Sequence, residues 1–408
     1  MSFTTSQAWK PIYGPAHGQF PKFFTNQLLE PQSNILSADD GNHAFSPRSL
    51  AEQEPLVHSY VDLPVQKLSD VAESRVPAEM GRWFHIASFD IIADLAFGES
   101  LGGLENNNLH HVVTSVLLFI ERGKKLFVLD GLLGPLARLV RPVVAPGVAE
   151  GFLSQLSFTR KAVGKRLENE SDVSRKDFMP GLLRGRDEKA ITSTEELITS
   201  ANTLFVAGSD TTATLLTACT FYLLATPHAH KRAVEEVRNA FESAADINFT
   251  NATARLPYML AVLNETARLY PPVATVLERS VPQTGEPIHI DGVYLPPGTR
   301  VGVHMSSAGL SASNFAQPES FAPERWLTSS SQDPSSPLYA DKRDPISGTR
   351  SSHFHAPDHG PAALGVGHEA GPVVSRVDWT LPYSQHKTWV VWRKPPPVVH
   401  IKKRQFAM

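Results

Sequence analysis

Apolar residues recur at helical spacing through most of the first 270 residues and then give way to short alternating pieces. The spacing predicts helices over 49–69, 78–97, 112–127 and 147–168. In the second of these Trp83, Phe84, Ile86, Ala87, Ile91, Ile92 and Leu95 fall mostly on one side, and Gly98 is placed to end it. Ser193, followed three residues later by Glu196, has the form of a capping box. It precedes a run, 201–226, that is almost wholly apolar or small and stops at Pro227. An amphipathic charged helix is predicted over 228–243, and another over 256–270, ended by Pro271-Pro272. Residues 288–295 and 300–304 read as small strands, and 388–391 with 397–402 as a terminal hairpin. Residues 329–371 are rich in Ser, Pro, His and Gly and carry no period. Residues 1–40 read as irregular, with Trp9, Ile12, Tyr13, Phe20, Phe23 and Phe24 available to fasten them to a body. The fold class is mainly α (α+β): a helical body with small sheets toward the C-terminus.

Composition narrows the function. The 408 residues carry 38 basic and 41 acidic side chains, for a net charge of -3, with 41% apolar residues. That balance excludes a disordered chain and a strongly basic nucleic-acid binder. Thirty-two prolines favour many helix stops over long coiled coils. The single cysteine, Cys219, excludes an intrachain disulfide and a Cys-rich zinc or iron–sulfur centre. The first ten residues are polar and show no signal peptide.

Two groups of residues carry candidate chemistry. The run 201–226 holds one formal charge, Asp210. A lone membrane span would bear about 2.5–3.5 kcal/mol for a charge at its centre, so a buried central helix is the better reading. Within it stands Ala207-Gly208-Ser209-Asp210-Thr211-Thr212. Gly208 admits the close approach of a flat ligand or of another helix. Asp210 and Thr211 place a carboxylate and a hydroxyl side by side, the pairing that proton delivery to a buried oxygen requires. Helix hydroxyls that bond back to a carbonyl are expected to loosen the local turn. The competing reading is a small-residue notch where helices cross. In the second group, Glu265 and Arg268 lie three apart on a helix, and Arg325 follows in Phe321-Ala322-Pro323-Glu324-Arg325-Trp326. Two guanidinium forks around one carboxylate make a directional buried network, suited to holding a C-terminal meander.

In this order the motifs resemble those of the cytochrome P450 family, the microsomal type and especially fungal secondary-metabolism members. The resemblance runs over about 9–345 and resumes over 376–404. Residues 207–212 resemble the oxygen-activation motif of the central helix, Glu265-Thr266-Ala267-Arg268 the K-helix motif, and Pro323-Glu324-Arg325-Trp326 the motif that follows it. Residues 89–98, His43-Ala44-Phe45-Ser46 and 387–396 are similar to the E-helix, the end of the C-helix region and the last hairpin. The resemblance implies one P450-like domain over 1–408, with 1–48 a partial N-terminal region. It implies haem between the central helix and a proximal loop. It also implies insertion of one oxygen atom from O2 into a small lipophilic metabolite, electrons from NADPH-P450 reductase, and residence at the endoplasmic reticulum membrane. Asp210 and Thr211 would relay protons, Ala207 and Gly208 would face the cofactor, Glu265, Arg268 and Arg325 would scaffold, and Thr275, Val276 and Leu277 would line the substrate pocket.

The chain departs from the family at its defining loop, Phe-x-x-Gly-x-Arg-x-Cys-x-Gly. Residues 329–375 form an irregular stretch in its place, and 354–365 read FHAPDHGPAALG, with no cysteine. His353, His355, His359 and His368 lie there, and His355 and His359 are the remaining candidate ligands, as imidazoles without the thiolate's electron push. Cys219 is expected to be a packed core thiol on the opposite side. The family's anchor, Pro-rich hinge and first sheet find no counterpart before Trp9, which favours a cytoplasmic chain. Asp39-Asp40-Gly41-Asn42-His43 closes up a basic stretch that serves a haem propionate in the family, and Arg48 is a poor substitute. The expectation is a P450 monooxygenase impaired in catalysis. The alternative is a non-enzymatic remnant or mis-spliced product, at most a lipophile-binding protein.

Overall fold

A computed structural model describes residues 1–14, 20–22, 47–136, 139–140, 143, 146–168, 175–180, 182–183, 193–283, 288–327, 335–336, 338, 368–370, 398–399 and 401–403. Phe23, Phe24, His43 to Ser46, His353, His355, His359 and Thr388 to Val391 lie outside the described residues.

The helices are α1 (Trp9–Tyr13), α2 (Pro47–Ser74), α3 (Met80–Phe97), α4 (Gly103–Asn106), α5 (His111–Leu133), α6 (Val148–Glu168), α7 (Thr194–Ala225), α8 (Pro227–Ala240), α9 (Phe249–Arg255), α10 (Pro257–Leu269) and α11 (Met305–Gly309). The strands are β1 (Ser2–Phe3), β2 (Ala78–Glu79), β3 (Arg279–Ser280), β4 (Ile288–Ile290), β5 (Val293–Leu295), β6 (Arg300–Val303), β7 (His368–Ala370), β8 (Val398–Val399) and β9 (Ile401–Lys403). Predicted and observed helices coincide within a few residues at most ends. Gly98 closes α3 in the left-handed region at φ 81°, where its N–H donates to the Asp94 carbonyl.

The central helix α7 starts seven residues earlier than its apolar run, because the Ser193 box caps it. Ser193 accepts from the Glu196 N–H, and the Glu196 side chain accepts from the Ser193 N–H. Ser193→Ala is expected to cost about 1 kcal/mol, seen as a lower midpoint of the main urea transition. Helix α7 packs against α3, α6, α8 and α10. Among the described residues no helix is long and apolar enough to cross a membrane. The span reading of 201–226 therefore gives way to a core helix whose apolar faces meet protein.

Apolar clusters join α7 to its neighbours, and a separate one covers the small sheet. Phe89, Phe97, Val163, Leu197 and Phe205 join α3, α6 and α7 in the largest. Cys219, Val237, Tyr258 and Val262 join α7, α8 and α10. Phe3, Trp9, Ile12 and Phe20 cover the sheet residues Val301 and Val303.

One sequence expectation needs correction here. The stretch before Trp9 does supply a sheet element: β1 runs parallel to β6, which also pairs with β3. Two residues are too few to show an alternating pattern, so sequence reading passed over them. Of the expected terminal hairpin, the arm 388–391 lies outside the described residues. Strand β8 pairs with Ala78–Glu79, and β9 pairs with His368–Ala370. Between β4 and β5, Asp291 and Gly292 both take positive φ, 53° and 76°, the two-residue turn that matches strand twist.

Candidate functional site

Residues 207–212 lie midway along α7, where it crosses α3. Asp210 is buried, and its Oδ1 sits 3.0 Å from Nε2 of His85 on α3. The same imidazole places Nδ1 2.7 Å from the Gly81 carbonyl. Thr211 turns away from its acidic neighbour: its hydroxyl donates to the Ala207 carbonyl at 2.6 Å. Thr212 donates likewise to Gly208 and Thr214 to Asp210. Despite these back-bonds, α7 runs unbroken from Thr194 to Ala225, so the loosened turn expected from the hydroxyls is not present. A ladder of i to i−4 bonds shares each carbonyl without displacing its helical partner.

Gly208 has a packing reason as well. A Cβ built there would come within 2.6 Å of Ile92 Cδ1 on α3, so the two helices approach more closely than a larger residue allows. Ala207, Gly208, Thr211 and Thr212 are only half-buried, whereas Ser209, Asp210, Ala213 and Thr214 are buried. One stripe of the central helix is therefore incompletely covered at this level.

The second group forms a single knot around Glu265, which is fully buried. Arg268 grips the carboxylate at two points, Nε to Oε2 at 2.9 Å and Nη2 to Oε1 at 2.8 Å. Arg325 Nε donates to Oε1 at 3.0 Å. Two further donors were not anticipated from sequence: the Ala322 N–H and the Trp326 indole, each at 2.9 Å. Their signal was present in the motif 321–326 itself, whose backbone and Trp lie beside Arg325. Arg268 also donates to the carbonyls of Gly309, Pro318 and Ser320, which ties α10 to the meander. Burial pushes the Glu265 carboxyl up, but the Arg268 bonds and charge, the Arg325 charge and the Ala322 N–H outweigh it and hold it below the ordinary range.

Thr275, Val276 and Leu277 are half-buried between α10 and the sheet. Val276 bridges to His304, and the Leu277 carbonyl accepts from Tyr13 at 2.8 Å. Tyr13 in turn accepts from the Val303 N–H, so α1 clamps this segment to β6.

Cys219 lies about 12 Å along α7 from Thr211, packed among Ala229, Val237, Tyr258 and Val262. Burial pushes its thiol up to about 12, with a smaller opposite effect from Thr266. It is a protonated core thiol. Among the described residues no three His, Cys, Asp or Glu side chains are grouped to hold a metal ion.

Comparison with known proteins agrees with this architecture. The model of the family described as Cytochrome P450 matches residues 42–340. The cytochrome P450 monooxygenase olcB of Penicillium canescens is 37% identical over 99% of this chain and 84% of its own length. The trichothecene C-4 hydroxylase of Trichoderma arundinaceum is 40% identical over 85% of this chain and 70% of its own. The cytochrome P450 monooxygenase dtxS2 of Metarhizium robertsii is 32% identical over all of this chain and 81% of its own. With its central acid-bearing helix and its buried Glu–Arg–Arg knot, the chain belongs to the cytochrome P450 family.

Proposed function

We propose that this chain is a monooxygenase-type P450 of secondary metabolism that keeps the substrate-side scaffold and lacks thiolate-driven oxygen activation. The family's chemistry is haem-dependent: O2 and electrons from a reductase oxidise an organic substrate. A haem thiolate does not fit the donor set here. The observation that carries this reading is the location of the single cysteine, a buried thiol in the α7–α8–α10 cluster. The residues that flank the altered loop, 323–326 and 387–396, keep their family form, so the change there is abrupt. No reaction step through iron follows from these residues.

What remains is a site for a small lipophilic compound. The half-covered stripe of Ala207, Gly208, Thr211 and Thr212 supports one wall, and Thr275, Val276 and Leu277 support another. The name of the Trichoderma relative specifies a trichothecene C-4 hydroxylase; a compact, mostly apolar metabolite of that general class is the substrate proposed here. Reductase coupling and an endoplasmic reticulum location would follow from family membership.

The test is to express the full chain with haem supplied, reduce it and add carbon monoxide. A thiolate-type absorption band is expected to be absent, and so is oxidation of lipophilic test compounds with reductase, NADPH and O2. A thiolate-type band, or turnover of any such compound, overturns the reading. An imidazole-type band abolished by His355→Ala or His359→Ala supports it, since haem would then bind without the thiolate.

A further inference from the structure

The contact between α3 and Asp210 has a chemical consequence beyond packing. Both ring nitrogens of His85 face oxygen acceptors. Nδ1 lies 2.7 Å from the Gly81 carbonyl, which can only accept, so a hydrogen bond there requires a hydrogen on Nδ1. Nε2 lies 3.0 Å from Asp210 Oδ1. With a carboxylate on one side and a ring nitrogen on the other, that contact is a hydrogen bond only if one proton lies between them. It sits on nitrogen, giving imidazolium and carboxylate, or on oxygen, giving imidazole and carboxylic acid. In both forms the pair is neutral overall and holds one proton more than a neutral ring beside a carboxylate.

We propose that His85 is the positioning residue for Asp210, and that the two side chains act as a one-proton store at the crossing of α3 and α7. The reasons are geometric. Side-chain exposure is 15% for His85 and 6% for Asp210, so the carboxylate is buried and depends on its partner in place of bulk water. The Asp210 backbone is pinned as well, since its carbonyl accepts from Thr214 at 2.6 Å. Gly208 lets the helices meet at this level: the Ile92 side chain occupies the space a Cβ would need. With Nδ1 committed to Gly81, the ring cannot pass a proton from one nitrogen to the other. It therefore acts as a reservoir and not as a wire. When the proton moves, the Nε2–H bond breaks and the Asp210 O–H bond forms, or the reverse, and nothing else changes. The inference concerns proton-holding side chains and stands whether or not haem binds, so its failure is separate from failure of the functional reading.

The test is nuclear magnetic resonance of the full chain labelled with 15N-histidine, without haem, with the His85 signals assigned by their loss in His85→Phe. A ring with Nδ1 in the protonated form and a downfield, slowly exchanging proton on the Nε2 side is expected. Asp210→Asn is expected to abolish that downfield signal while Nδ1 stays protonated. A ring that averages between its two tautomers in the wild-type chain overturns the proposal. So does a downfield signal that survives in a folded Asp210→Asn variant. The wild-type spectrum alone decides the matter should that variant not fold.

Discussion

Replacing Glu265 by alanine is expected to lower stability by about 3–5 kcal/mol. The expected measurement is a large drop in the midpoint of the main urea transition, with a fall in soluble yield. Arg268 and Arg325 are fully buried and share this one carboxylate, with the Trp326 indole and the Ala322 N–H as further donors. Removing it leaves two guanidinium ions facing each other out of contact with water, which is the unpaired buried charge that folded proteins avoid. Glu265→Gln should be milder, since an amide oxygen still accepts, yet it loses the charge that balances two cations. The pH dependence carries the same sign. The folded carboxyl is held below its unfolded value of about 4.3. Its contribution is therefore complete above that value and is lost as pH falls through the folded one. Glu265→Gln should flatten this part of the acid limb, and an acid limb identical to that of the wild type would contradict the account.

This knot was readable from sequence because its parts are local. Glu265 and Arg268 are one helical turn apart, and Arg325 sits in a compact motif that also contains Trp326. Helices α3, α7 and α10 were readable for a related reason: strong periodicity over many residues, with a cap or a proline at an end. The His85–Asp210 contact was not readable. The two residues are 125 apart, and a lone histidine among Trp83, Phe84 and Ile86 carries no local signal. Gly208 was readable only as two alternatives, and the Ile92 contact supplies the packing reason that spacing could not. The two-residue strand β1 lay below the length at which alternation shows, and its partner is distant in sequence.

Phe205→Ala is expected to destabilise the chain by about 3–5 kcal/mol, again measured on the main urea transition. Phe205 is fully buried on α7, and its ring centroid lies 5.4 Å from Phe89, 5.2 Å from Phe97 and 6.4 Å from Phe158. The three neighbours come from α3 and α6, so one ring holds both helices against the central one. Deleting it removes apolar burial and leaves a void that rings fixed on rigid helices fill poorly. Phe205→Leu keeps most of the volume and should cost clearly less. The effect should also reach Asp210, which lies five residues on along the same helix. If the Phe cluster sets the register of α7 on α3, the downfield proton of the His85–Asp210 pair should weaken or exchange faster in Phe205→Ala than in Phe205→Leu. An equal loss of stability in both variants would show that the aromatic contacts themselves, rather than the filled volume, hold the helices together.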